Sequence, residues 1–148
     1  ESGRFVRLRE DETGIVCVWP ERGSNASLRR AVRDFYEAHA RADVGRWLPR
    51  YLSDLPRAPR RIQFKTMSSQ WGSLAPDDTL ALDLSLVLAP SAAFEYVLVH
   101  ELCHLLHRDH SPRFWREVEA RCPQWRDRRD WFHDEGRRLK ARLQALLR

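Results

Sequence analysis

Residues 95–115, EYVLVHELCHLLHRDHSPRFW, constrain the chain more than any other stretch, because two histidines stand four apart with a glutamate directly after the first. In an α-helix, positions i and i+4 lie one turn apart on the same face. His100 and His104 can therefore reach one metal ion. Glu101 brings its carboxylate to the edge of that face, within reach of a water on the metal without ligating it, which is the position of a general base. Tyr96, Val97, Leu98, Val99, Leu102, Cys103, Leu105 and Leu106 surround the pair, so the spacing predicts a helix of about 92–107 buried on most sides. Neutral imidazoles in such a helix need partners, and zinc supplies one to each. The competing reading is two core histidines satisfied by hydrogen bonds, with Glu101 on the surface.

Catalytic zinc holds three protein ligands and leaves a position open, so a third must come from elsewhere. His110 is the best candidate. After Leu106 the chain turns polar, and Ser111-Pro112 reads as an N-cap followed by proline at the first position of a new helix. A turn at 108–111 folds His110 back toward the pair. His107 shares a face with His104, but three ligands from one straight helix rarely converge on one centre, so it reads as a cleft-edge or solvent histidine. His133 and Glu119 are the alternative third ligands. Cys103 lies beside the histidine pair, where it packs and does not ligate.

Around this stretch the sequence alternates between strand and helix signals. Residues 4–9 and 14–19 flank Asp11-Glu12-Thr13-Gly14 as a β-hairpin. Ser24 or Asn25 caps a helical region from Ala26 to about Leu55, which Gly45 and Pro49 should split into two helices. Arg60–Thr66 and Thr79–Leu84 read as strands, with Met67–Gly72 leaving the first and Asp77-Asp78 forming a turn. Ser91 caps the motif helix, Pro112–Ala120 forms the next, with Phe114 and Trp115 packing beneath the motif helix, and Trp131–Leu147 closes the chain as an amphipathic helix. The scatter of the six tryptophans favours core packing over a base-stacking surface.

Composition narrows the class. The chain has 148 residues, enough for one core of moderate size, and its 43% hydrophobic and 32% charged residues describe a soluble globular domain. No run is apolar for long enough to span a membrane, and ESGRFVRLRE holds no signal-peptide core, so the expectation is a cytoplasmic protein without a membrane partner. Cys17, Cys103 and Cys122 form no CxxC pair and read as reduced thiols. The start without Met suggests a trimmed N-terminus. The net charge of +5 is concentrated: Ser111–Arg148 carries eleven Lys and Arg against six Asp and Glu. Such a tail suits either a DNA contact or a solvated helix face, and the second is favoured.

The segments QWGSL, TLALDLSLVLAP, EYVLVHELCHL and DHSPRFW, read together over Lys65–Trp115, resemble the YgjP-like and SprT-like zinc metallopeptidases. The family pattern is WGS, a strand, a small loop, HELxH and HSxxFW. The resemblance implies zinc (Zn2+) held by His100, His104 and His110, and a water activated by Glu101. This chain has Gln70, Leu74 and Asp83 where the family usually has Arg, Cys and Asn. The resulting expectation is an α+β fold, a single zincin-like domain over 1–148 with helices packed on a small mixed β-sheet around an HExxH active-site helix. Its chemistry would be hydrolysis of peptide bonds in a protein or peptide substrate, with Gln70, His107 and Arg108 as candidate substrate or oxyanion contacts. The strand at 79–83 would offer its backbone to an extended substrate. The runner-up is a metal-dependent nucleoside triphosphate pyrophosphatase, since some relatives are so described, although no Gly-rich phosphate loop is present. A non-enzymatic nucleic-acid-binding module with structural zinc is a third reading, and three histidines beside a free glutamate argue against it because structural sites are closed by four ligands.

Overall fold

A computed structural model describes residues 7–11, 14–18 and 25–147, with side chains from 25 onward. Strands β1 (Arg7–Asp11) and β2 (Gly14–Val18) form the expected antiparallel hairpin, with Asp11 opposite Gly14. The expected start at residue 4 and the Ser24 cap lie outside the described residues.

Helix α1 (Asn25–Leu52) runs unbroken for 28 residues, contrary to the expected split at Gly45 and Pro49. Proline removes the hydrogen bond to the carbonyl four residues back, that of Gly45, and crowds that carbonyl, but both residues are on the exposed side of the final turns. Solvent can satisfy that carbonyl. The opposite face buries Tyr36, Ala40, Val44 and Trp47, with the Trp47 ring edge-on to Phe94 at 5.0 Å. Burial of this stripe outweighs one lost backbone bond.

The second sheet is mixed and three-stranded, in the order β3 (Arg61–Lys65), β5 (Thr79–Asp83), β4 (Gly72–Leu74). β3 runs parallel to β5, with Arg61 opposite Thr79, and β4 antiparallel, with Gly72 opposite Leu82. β5 is therefore the central strand, paired on both sides, and cannot offer its backbone to a substrate as expected. Leu80 and Leu82 are fully buried on one face of it, with Ala81 and Asp83 buried on the other. The outer edge of β3 is covered, since Arg33 and Arg41 of α1 donate to the carbonyls of Phe64 and Ile62. β4, three residues long and without readable alternation, is a strand that the sequence reading did not assign.

A 3₁₀ turn at Leu84–Leu88 leads into helix α2 (Ser91–Cys103), capped by Pro90 and not by Ser91. α2 is shorter than the expected 92–107. Its last turn tightens: the amides of His104, Leu105 and Leu106 each bond the carbonyl three residues back. Helix α3 (Pro112–Arg121) begins as expected, the Ser111 hydroxyl accepting from the Phe114 amide. Helix α4 (Trp125–Leu146) starts six residues before the expected Trp131. Pro123 lies between α3 and α4, and Trp125 joins Leu139 and Leu143 on the buried face. Together these elements form one α+β domain of helices packed on a small mixed sheet. No helix among the described residues is long and apolar enough to cross a membrane.

Candidate active site

The motif helix is as buried as its composition demands. Tyr96 to Val99 and Glu101 to Cys103 are all below a tenth exposed, so Glu101 is not the surface residue of the competing reading. Ending α2 at Cys103 leaves His104 as its C-cap, with its ring Nδ1 2.9 Å from the carbonyl of His107. A carbonyl only accepts, so Nδ1 carries the proton and Nε2 keeps a free lone pair. His107 thus acts through its backbone, which fixes the tautomer of its neighbour, and its imidazole is not in the histidine cluster.

The turn after α2 brings His110 back to the pair. One ring nitrogen from each of His100, His104 and His110 lies within 4.8 Å of the others. The Nε2 atoms of His100 and His110 are 3.3 Å apart. Tetrahedral ligands about 2.0–2.1 Å from zinc are separated by about 3.3–3.4 Å, so this pair fits one edge of such a site. Burial, then the neighbouring His104 and His110, pushes His100 down to about 3, and burial also lowers His104. Both rings are neutral at physiological pH, the form in which imidazole binds metal. The donor set suits zinc.

Aromatic side chains of α3 hold the imidazoles. Phe114, fully buried, stacks on His104 at 4.4 Å and stands edge-on to His100 and His110. Trp115 lies edge-on to His100 at 5.5 Å and stacks in turn on Trp125 at 4.4 Å. The expected packing of Phe114 and Trp115 against the motif helix is present. Cys103 is fully buried and burial raises its thiol to about 12, an inert packing residue. Glu119 accepts from Trp125 and Arg126 and lies outside the cluster.

Glu101 lies against β4. A methyl group at Gly72 would sit 2.8 Å from Glu101 Cγ, 3.1 Å from its Oε2 and 3.2 Å from the Ala81 carbonyl. Only glycine lets the carboxylate lie this close to the strand, a role that the sequence reading did not assign. Burial pushes the Glu101 carboxyl up to about 8, so it binds a proton readily near neutral pH. A cavity of about 300 Å³ opens beside it, lined by His100, Glu101, Gly72, Trp71 and Gln70 and, from α4, by Arg129, Phe132 and His133. Gln70 and His133 thus reach the cleft wall, while His133 is not in the metal-binding cluster.

Arg108 does not face the cleft as a free cation. It donates to the Ala75 carbonyl at 2.8 Å and to Asp78 at 2.7 Å. Asp78 also takes Arg57, and the two guanidiniums, Arg57 foremost, hold its carboxyl down at about 2. Asp78 has φ 68°, a left-handed conformation that aspartate tolerates better than most residues. Arg108 therefore staples the turn after α2 to the β4–β5 turn.

The β4 wall has its own anchor, which the sequence reading also missed. Lys140 of α4 donates to the Met67 and Gln70 carbonyls at 2.6 and 2.8 Å and lies 3.2 Å from Asp83. Asp83, 1% exposed, accepts from the Met67 amide at 2.7 Å and from the amide and hydroxyl of Ser85. The departure from the family's usual Asn thus comes with a cation to balance it. The Lys140 ammonium sits 4.2 Å from the centre of the Trp71 ring, whose Cζ2 lies against Gly136.

No curated protein matches the chain significantly. A family model, YgjP-like, metallopeptidase domain, matches residues 4–135, which include the motif helix, the His110 turn and most of the cleft wall. The chain belongs to the YgjP-like metallopeptidase family.

Proposed function

We propose that residues 1–148 form one zinc-dependent peptidase domain in which His100, His104 and His110 hold the ion and Glu101 is the general base. The observation that carries this reading is the placement of three imidazole nitrogens within 4.8 Å of one another next to the buried Glu101 and an open cavity. Zinc bound there supplies Lewis acidity, bringing the ionisation of water toward neutral pH and polarising a carbonyl. Glu101 takes the proton of the attacking water on a carboxylate oxygen and returns it to the leaving amine nitrogen. The extended substrate lies along β4, because β5 is paired on both sides and the β3 edge is occupied by α1.

A reducing, cytoplasmic setting suits the free thiols of Cys103 and Cys122. The arginines of α3 and α4 alternate with carboxylates that pair with several of them, as in Arg126–Glu119 and Arg138–Glu135. That pattern favours a solvated face over a DNA track. The test incubates wild type and Glu101→Gln with a casein-like protein, with and without single-stranded DNA, and with nucleoside triphosphates. The amide keeps the shape of the carboxylate but cannot take the proton, so proteolysis should fall by at least about 10²–10⁴ with zinc content unchanged. Salt-sensitive stimulation by DNA would add a nucleic-acid partner. Glu101-dependent pyrophosphate release without proteolysis would overturn the peptidase reading.

A further inference from the structure

The cavity beside Glu101 has a wall of three aromatic rings. Trp71 and Phe132 pack at 4.6 Å, and Phe132 and Tyr96 at 6.4 Å. Val97, 4% exposed, adds an apolar surface between Tyr96 and the motif residues. These rings are braced from behind. A methyl at Gly136 would come within 2.7 Å of Trp71 Cζ2, so α4 lies directly against the indole, and Lys140 covers the ring from another side. The shape of the cavity is therefore set before anything enters it.

Its size and lining define what enters. About 300 Å³ is the low end of the range for ligand sites, room for one side chain more readily than for an extended cofactor. Rigid aromatic walls reward an apolar ring by burial and by edge or offset stacking. Arg129 also lines the cavity and disfavours a second cation, whereas the one carboxylate among the lining residues, Glu101, is committed to the proton transfer. Building on the peptidase reading, we propose that this cavity is the subsite for a side chain flanking the scissile bond, and that it selects an aromatic ring over small or basic side chains.

The test maps cleavage sites in an unfolded protein by mass spectrometry. It then compares kcat/KM for peptides that differ only by Phe, Ala or Lys at the mapped position. Wild type should show aromatic residues enriched beside the cleaved bond, with the Phe peptide preferred over Ala by roughly tenfold or more and Lys the poorest. Val97→Phe puts a ring into the cavity from its floor and should bring the Phe-to-Ala ratio close to one. Phe132→Ala removes part of the wall, lowers the same ratio by an independent route, and decides the matter where Val97→Phe fails to fold. Zinc content and circular dichroism report folding of both. Glu101-dependent cleavage with no aromatic preference, or a preference that neither variant moves, would overturn the subsite while leaving the peptidase reading intact. Absence of any Glu101-dependent proteolysis would overturn that reading, and the subsite with it.

Discussion

On the α2–α3 side of the cleft, His104 lies under the Phe114 ring and His110 is returned by a serine-capped turn, so the imidazoles are oriented mainly by apolar surfaces. On the β4–α4 side, Gln70 and Trp71 are held by Lys140, which spends its donors on two backbone carbonyls and the buried Asp83. The first wall arises from neighbours in sequence, and the second from residues that only the fold brings together. Apolar packing tolerates small adjustments, whereas a buried ion pair with every group engaged fails sharply when one partner is removed.

The comparison breaks first at Lys140. Lys140→Met leaves the Asp83 carboxylate buried without its cation and should cost about 3–5 kcal/mol, measured by chemical denaturation. Adding Asp83→Asn removes the bare charge and should recover most of that loss. If the double variant is no more stable than the single one, the β4 wall is not held by this pair.

Gly72→Ala sharpens the contrast from the catalytic side. The new methyl meets Glu101 Cγ at 2.8 Å, so the carboxylate or β4 must shift, at about 1–3 kcal/mol. Proteolysis should fall on the order of ten- to a hundredfold through misplacement of the base, with zinc content unchanged. Loss of zinc instead would mean that β4 also governs the histidine cluster.

The smallest effect belongs to Arg108→Ala. Its partner Asp78 keeps Arg57, and the pair is solvent-exposed, so melting temperature and turnover should stay nearly unchanged. A large drop in turnover with stability intact would return Arg108 to the chemistry.

The histidine side was legible in the sequence because its information is local. The i, i+4 spacing, the apolar run around it and Ser111-Pro112 point to the three histidines that the fold brings together, without knowledge of the sheet. The opposite wall was not, for separate physical reasons. β4 has three residues, too few for alternation to declare a strand, and β5 showed its pattern but not its neighbours, so its central place was hidden. The polar run Arg126–Asp130 hid the first turns of α4, which are tied down by Trp125. Nothing local in Asp83 or Lys140 announces a buried pair, and Gly72 acquires its meaning only when Glu101 lies against it. Gly45 and Pro49 misled in the other direction, because a helix breaker near a solvent-facing end matters less than the buried stripe beneath it.

The central claim is that His100, His104 and His110 hold one metal ion as a trio. Metal analysis by mass spectrometry, with X-ray absorption at the zinc edge, on wild type and the His110→Ala variant tests it most directly. Wild type should hold one zinc per chain through three imidazole nitrogens, and His110→Ala should lose much of its zinc affinity while keeping the helical fold. Undiminished tight zinc binding by His110→Ala, with the same number of imidazole ligands, would contradict it and move the third ligand elsewhere.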